Sequence, residues 1–490
     1  MRLRMGSISM RNFEPVVLVG TGMANLVAAA LLVNRGHRVV MLEQCETPGG
    51  YFSSFTNEMG DRFELAVSSL LGGTCHGSLV TLLRELGLEE QIALTPADII
   101  DVMHIHGRRI VMPRGLDNLE LNLVSEFPRC ANELRQFISF MKEFMGEGEE
   151  QTDPRKRGRF MMRNYQRGFE EFCRETISND LLRSILAMRI QCDESALMVM
   201  AGFFTECYGK GQVSVSGGVD HLVTVLNDFI RTHGGDIIFG ARMADLSVCD
   251  DMTTDGVILE NGDRINAKIV LYGGDIHSLE MLLTSHDLGC PSNSNRRRGH
   301  SSLSMFYTLE NVNLNRLKGT VRHYVTETPD VFETYRILES GRRPEYPVIK
   351  VHVCSDNKTA DERELLRVEV DTFHVPEMHD RAFYVNYARD IENMIVDKLI
   401  PELKYSTVYR RVIDPIDYQS WFGHSGGSAT GWAHDVHNYM TNRLSQHTVL
   451  ANVFITGQWG EFGSGLPQLI ESARKSVNLT EQFERTRANR

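Results

Sequence analysis

The chain has 490 residues, 42% hydrophobic and 24% charged, the composition of a globular enzyme of two or three domains or of one large interleaved fold. Its formal charge of −12 excludes a nucleic-acid surface, which needs a basic excess, and no apolar run approaches the roughly 20 residues that span a bilayer. The nine cysteines are scattered without C-x-x-C or metal spacing, and the first residues lack the apolar core of a signal peptide, so reduced thiols and a cytoplasmic location are expected.

Residues 16–19, VVLV, form a short β-branched run ended by glycine and predict a buried strand. The turn Gly20-Thr21-Gly22-Met23-Ala24-Asn25 follows. An Ala/Leu-rich helix over 26–33 is stopped by Gly36, and a second β run over 38–42 ends in Glu43. This order, strand, glycine turn, helix, strand and terminal acid, is the βαβ unit that binds a dinucleotide. Gly20 permits the tight turn, and Gly22 lets a pyrophosphate approach the backbone. The helix N-terminus, at Met23, Ala24 and Asn25, faces that phosphate with free N–H groups and the positive end of its dipole. Glu43, with Gln44 beside it, is placed to accept hydrogen bonds from a ribose diol. Asn25 stands where the G-x-G-x-x-G pattern has its third glycine, so strand–helix packing has to tolerate a side chain.

Just beyond, Pro48-Gly49-Gly50-Tyr51 makes a backbone loop able to lie against the same polyanion. A helix is expected over 76–86 and two strands within 99–113, after which the chain turns largely helical to about 211. Its 160–204 stretch is rich in Met and Phe, a pattern that serves either a core or a cap over an apolar ligand. His104 and His106 share a strand face by period-two spacing, but no third ligand joins them and no metal site is expected. Basic clusters at 155–159 and 296–298 read as solvated loops, the second within a polar linker over 291–299. The α/β pattern then resumes with a helix over 219–232, strands over 236–239, 242–247 and 269–272, and a hairpin turning at Asn261-Gly262. Strands are expected over 302–309, 346–354 and 367–373, and a helix over 380–399. Finally, a strand over 452–456 runs through Gly457-Gln458 and Gly465-Leu466-Pro467 into a helix over 468–483. A second glycine loop before a helix directs another dipole end at a distant part of the same cofactor. A flavin, whose pyrimidine end becomes anionic on reduction, meets that demand better than a nicotinamide.

With these pieces in place, the sequence resembles the FAD-dependent phytoene desaturase and carotenoid isomerase group, retinol saturase-like proteins included. More distantly, it is similar to amine oxidases and Rab GDP-dissociation inhibitors. The resemblance runs over most of the chain. It is carried by Gly20-x-Gly22 with Glu43, PGGYFSSF at 48–55, FELA at 63–66, the block 216–246, AKIVLYGGD at 267–275, and the tail blocks 414–432 and 452–476. It implies that the backbone of Met243 contacts the adenine side. Three positions depart from the family pattern: Asn25 replaces glycine, Gln458 an acid, and Tyr51 an arginine. A neutral amide can still hydrogen-bond the cofactor, so weaker or altered binding, not loss, is expected, and the three departures together leave open a protein that keeps the fold with a tuned or abandoned redox role.

The resemblance implies an α/β fold with a Rossmann-like FAD-binding domain of the glutathione reductase type, formed by 12–90, 212–300 and 415–490. An α+β substrate domain with a helical cap, 91–211 and 301–414, would interleave with it. The implied activity is FAD-dependent desaturation, saturation or isomerisation of C–C bonds in an apolar polyene, isoprenoid or natural product. A flavin amine or amino-acid oxidase is the alternative, and would bring an aromatic cage and a substrate-carboxylate arginine, for which only Trp421, Trp459 and Arg381 offer themselves. A non-enzymatic lipid-binding module is a further one. Met198, Met200 and Phe203 are expected to point into an apolar pocket, walled also by the 302–309 strand. Catalytic side chains and oligomeric state stay open, as does a peripheral membrane contact.

Overall fold

The computed structural model describes residues 14–74, 77–146, 154–289, 296–354, 363–438 and 443–488. Cys75, Cys290, the start of the 76–86 helix, the 291–295 part of the linker and the N-terminal stretch lie outside the described residues.

Strand β1 (Val16–Val19), helix α1 (Met23–Asn34) and strand β2 (Val39–Leu42) form the predicted unit. The helix starts earlier than its apolar run because extended Gly22 serves as its N-cap. Every residue from Met23 to Val33 is buried, as an all-round apolar helix requires. Its burial follows from position. β1 is the central strand of a five-stranded parallel sheet in the order Val453–Ile455, Ile269–Tyr272, β1, β2, Asp236–Ile238. Val16 and Leu18 pack with α1 and with helices Val219–Thr232 and Leu466–Ala488 on one face. Val17 and Val40 pack on the other face against an antiparallel sheet of Met243–Val248, Thr254–Leu259 and Arg264–Asn266. Covered on both faces, such strands read as unbroken apolar runs, which is why the sequence revealed them.

A second, seven-stranded sheet runs in the order Thr407–Ile413, Ser301–Leu309, Glu364–Thr372, Ile349–Cys354, Thr320–Thr326, Ile99–Ile105, Arg108–Pro113. All its pairs are antiparallel except Thr320–Thr326 with Ile99–Ile105. Leu366, Val368, Val370, Ile349 and Val351 pack toward helix Arg381–Lys398. The alternate residues, Lys350, His352, Arg367, Glu369 and Asp371, belong to the opposite face and are buried too.

The 160–204 stretch is largely helical, as expected, in short helices that include Phe169–Thr176, Asp180–Leu186 and Leu197–Phe204, which with Ala131–Met145 enclose a core. Three expectations need correction. His106 occupies a left-handed turn (φ 48°) next to Glu327 rather than the strand, so only His104 keeps the strand position, with its ring 3.0 Å from His323. The 155–159 cluster lies on helix Pro154–Asn164 and not in a loop, its cations mostly exposed. In the 296–298 cluster Arg298 is exposed as expected, but Arg297 is tied down: it bonds Asp435 at 2.9 Å and Glu339 at 2.6 Å, because a buried acid demands a paired cation. Burial pushes the Glu339 carboxyl up to about 7 against the pull of Arg297. Among the described residues, no helix is long and apolar enough to cross a membrane.

Candidate cofactor and substrate site

A cavity of about 740 Å³ begins at the β1–α1 turn and reaches the seven-stranded sheet. Gly20 has φ 88°, a left-handed conformation that penalises any side chain. A Cβ added at Gly22 would meet no described protein atom within 4 Å, so the space before this turn is free of protein. The N–H groups of Met23, Ala24 and Asn25 belong to the first turn of α1, where no carbonyl of the helix can accept them. No side chain caps this terminus, and no acid stands in its first turn. This is a cradle for an anion.

At the end of β2, buried Glu43 accepts from the Thr21 N–H and hydroxyl through Oε2 and from the Cys45 N–H through Oε1. A carboxylate offers about four acceptor sites, so capacity remains toward the cavity it lines. Burial and the neighbouring Glu43 push the Cys45 thiol up to about 11, which leaves it an unreactive thiol. Gln44 lines the same wall and donates to the Trp421 carbonyl at 3.0 Å. Asn25 turns its amide away from the cradle: Nδ2 donates to Val19 O (2.8 Å) and Gly20 O (3.0 Å), and Oδ1 accepts from the Thr456 hydroxyl. The missing glycine has therefore become a clamp across the ends of two strands, β1 and Val453–Ile455.

Gly50, Tyr51, Met243, Gly457, Gln458, Gly465 and Leu466 also line the cavity. Pro467 does not; its ring lies against Gly72. Tyr51 donates to Ser428 O at 3.0 Å and stacks on His424, so this side chain is committed to the protein. Of the three expected pocket residues only Phe203 lines the cavity, whereas Met198 and Met200 are buried, Met200 in the helical core. Ser302 lines it from the 301–309 strand. Neither Trp421 nor Trp459 does, and Arg381 pairs with Asp414 and Asp417 at a helix terminus. The groups named for an amine oxidase are thus not assembled.

Sequence reasoning missed the far wall, where Arg189, Gln212, Arg322, Lys350 and Glu369 line the cavity. Arg189 makes a two-pronged pair with Asp101, both bonds 2.6 Å, and Tyr208 donates to the same carboxylate at 2.5 Å. Burial works against the Arg189 cation, but Asp101 and its neighbours hold its pKa well above the ordinary value. Lys350 bonds Asp371 and, at 3.3 Å, Glu369, itself 3.6 Å from Arg367. The alternation R-V-E-V-D at 367–371 was the available signal, but such a pattern ordinarily marks a strand with one wet face.

A glycine turn facing empty space, an uncapped helix terminus and an oriented carboxylate fit an adenine dinucleotide. The flavin-containing amine oxidoreductase family matches residues 23–364. The chain belongs to that family. Its cofactor is FAD. The chain is 21% identical to a 15-cis-phytoene desaturase of Arabidopsis thaliana over 55% of its own length and 49% of that protein, so it spans about half the length of that relative. It is 24% identical to a zeta-carotene-forming phytoene desaturase of Myxococcus xanthus over 94% of its length and 92% of the relative. An oxidoreductase from Methanosarcina mazei shares the fold, with a TM-score of 0.64 at 13% identity over 95% of this chain and 100% of that one.

Proposed function

We propose that this protein is an FAD-dependent oxidoreductase that desaturates, saturates or isomerises C–C bonds of an apolar polyene, isoprenoid or related natural product. One observation carries the reading: the cavity that begins at the Gly20–Gly22 cradle continues past Leu70, Leu71 and Phe203 to the second sheet, so an apolar chain can share it with the cofactor. The carotenoid desaturases among its relatives act on such chains. FAD, when bound, supplies hydride acceptance and return. The N–H groups of Met23, Ala24 and Asn25 would hold the pyrophosphate and Glu43 the ribose. The backbone of Met243 would meet the adenine side, and Gly457, Gln458 and Leu466 the flavin side. Residues 12–90, 212–300 and 415–490 would carry the cofactor, and 91–211 with 301–414 the substrate.

A peripheral membrane contact fits helix Pro154–Asn164, which presents five cations and no acid beside Phe160, Met161 and the exposed Met162. Purified protein should carry FAD noncovalently. An anaerobic screen of polyenes, amines and NAD(P)H should then show flavin bleaching, or isomer conversion, with polyenes. Bleaching by amines alone would overturn the reading.

A further inference from the structure

A hydrocarbon substrate makes no use of a charged wall, and the wall here is charged in a particular way. Four cations, Arg189, Arg322, Lys350 and Arg367, stand among three carboxylates, Asp101, Glu369 and Asp371. Asp101 is taken by Arg189, and the other two acids are shared by Lys350 and Arg367. Arg322 is left over. Its Nε donates to His352 Nε2 at 3.1 Å and its Nη1 to the Tyr324 hydroxyl at 3.0 Å, both neutral acceptors. Burial, with Arg367 and Arg322 nearby, holds His352 in its neutral form.

The remaining nitrogen, Nη2, finds no acceptor among the described residues, and Arg322 lines the cavity. A second donor lacks an acceptor as well. Gln212 lines the cavity and is 4% exposed; its Oε1 is satisfied by Ser69 at 2.8 Å while its buried Nε2 has no partner. Leaving a buried donor such as Gln212 Nε2 unmade is costly, and the half-buried Arg322, on which Glu369 and Asp101 act only without a direct ion pair, keeps an N–H to give. A ligand group that accepts hydrogen bonds and carries one negative charge would satisfy both. The planar fork of arginine matches a carboxylate best.

We propose that Arg322, assisted by Gln212, receives a carboxylate of the substrate, so that the substrate is an apolar acid and not a pure hydrocarbon. This rests on the apolar-substrate reading above and narrows it. Glu369, although it lines the cavity, does not repel such a group as a free charge would, because Lys350 and Arg367 hold it. Arg322 is thereby a specificity-determining residue. The apolar body of the ligand would run along Leu70, Leu71 and Phe203.

The test is equilibrium dialysis of the FAD-loaded protein with all-trans-retinoate and with its methyl ester, probes that share a polyene body and differ in the charge. The acid should bind more tightly than the ester. Arg322→Gln should lower acid affinity about ten- to a hundredfold, leaving ester affinity and FAD content unchanged. Arg322→Lys should keep part of the preference, and Gln212→Leu should weaken the acid alone. Equal binding of acid and ester by the unaltered protein overturns the proposal, as does an unchanged preference in Arg322→Gln. If Arg322→Gln loses its FAD, the other two variants decide, and parallel loss of acid and ester in both overturns it. Binding of the ester but not the acid sinks the anion seat alone, whereas binding of neither sinks the apolar-substrate reading with it.

Discussion

At the cradle end of the cavity, the groups that face a ligand are backbone N–H groups and one carboxylate, supplied by the single stretch from Gly20 to Glu43. At the far end they are the side chains of Arg189, Gln212, Arg322, Lys350 and Glu369, brought from separate parts of the chain. The first site needs only local order: once β1 and α1 form, the turn between them is an anion cradle. The second exists only after strand register is set, with Arg322 opposite Asp101 and Lys350 opposite Glu369. Local construction is tolerant, whereas assembly from distant strands couples the site to the stability of the whole sheet.

That contrast can be broken most forcefully at Arg189. Arg189→Met removes the partner of Asp101, which is 0% exposed, and strands an acid whose side chain, among the described residues, is otherwise bonded only by Tyr208. Breaking a buried pair on one side costs about 3–5 kcal/mol. Chemical denaturation should show that loss, together with a lowered melting temperature. A variant as stable as the parent would mean that water reaches this pair and that the far wall is not a sealed network.

At the cradle end, Glu43→Ala should weaken FAD binding about ten- to a hundredfold, the effect of losing hydrogen bonds to a charged acceptor. Glu46, three residues on and exposed, should tolerate alanine without change. Fluorescence titration of the apoprotein with FAD measures both. Equal retention by the two variants would remove Glu43 from the ribose.

How much could be read in advance follows the same division. β1, β2 and the helix Val219–Thr232 were legible because each is specified by a local pattern, an apolar run or a 3.6-residue period. That the glycine loops line one cavity was legible for the same reason, Pro467 excepted: it sits in the first turn of its helix between the cavity-lining Leu466 and Leu469, with its ring toward Gly72, and a glycine motif does not fix which way a helical residue faces. The far wall was hidden by an ambiguity. Alternating charged and apolar residues at 367–371 predict a strand with one face in water, and nothing local says that the water is replaced by other strands and a cavity. Met200 and Phe203 illustrate it at a smaller scale, since they occupy one short helix yet only Phe203 reaches the cavity.

Asn25 offers the finest test, because it sits in the legible region and departs from the pattern that made the region legible. Asn25→Gly would restore the third glycine, and if the side chain hindered the cofactor, FAD should bind more tightly. The geometry argues otherwise. The group that position 25 offers to the cavity is its N–H, which glycine also has, while the amide is spent on Val19 O, Gly20 O and the Thr456 hydroxyl. A Cβ at Gly273 would come within 2.5 Å of that amide, so the neighbouring strand end is shaped around it. Removing the amide leaves the buried Thr456 hydroxyl and a carbonyl without partners, a loss of about 1–3 kcal/mol for a group so stranded. The expected outcome is therefore a lower melting temperature with FAD affinity unchanged. A tenfold gain in FAD affinity at unchanged stability would instead make Asn25 part of the cofactor contact, and the cradle would owe less to its backbone than its geometry implies.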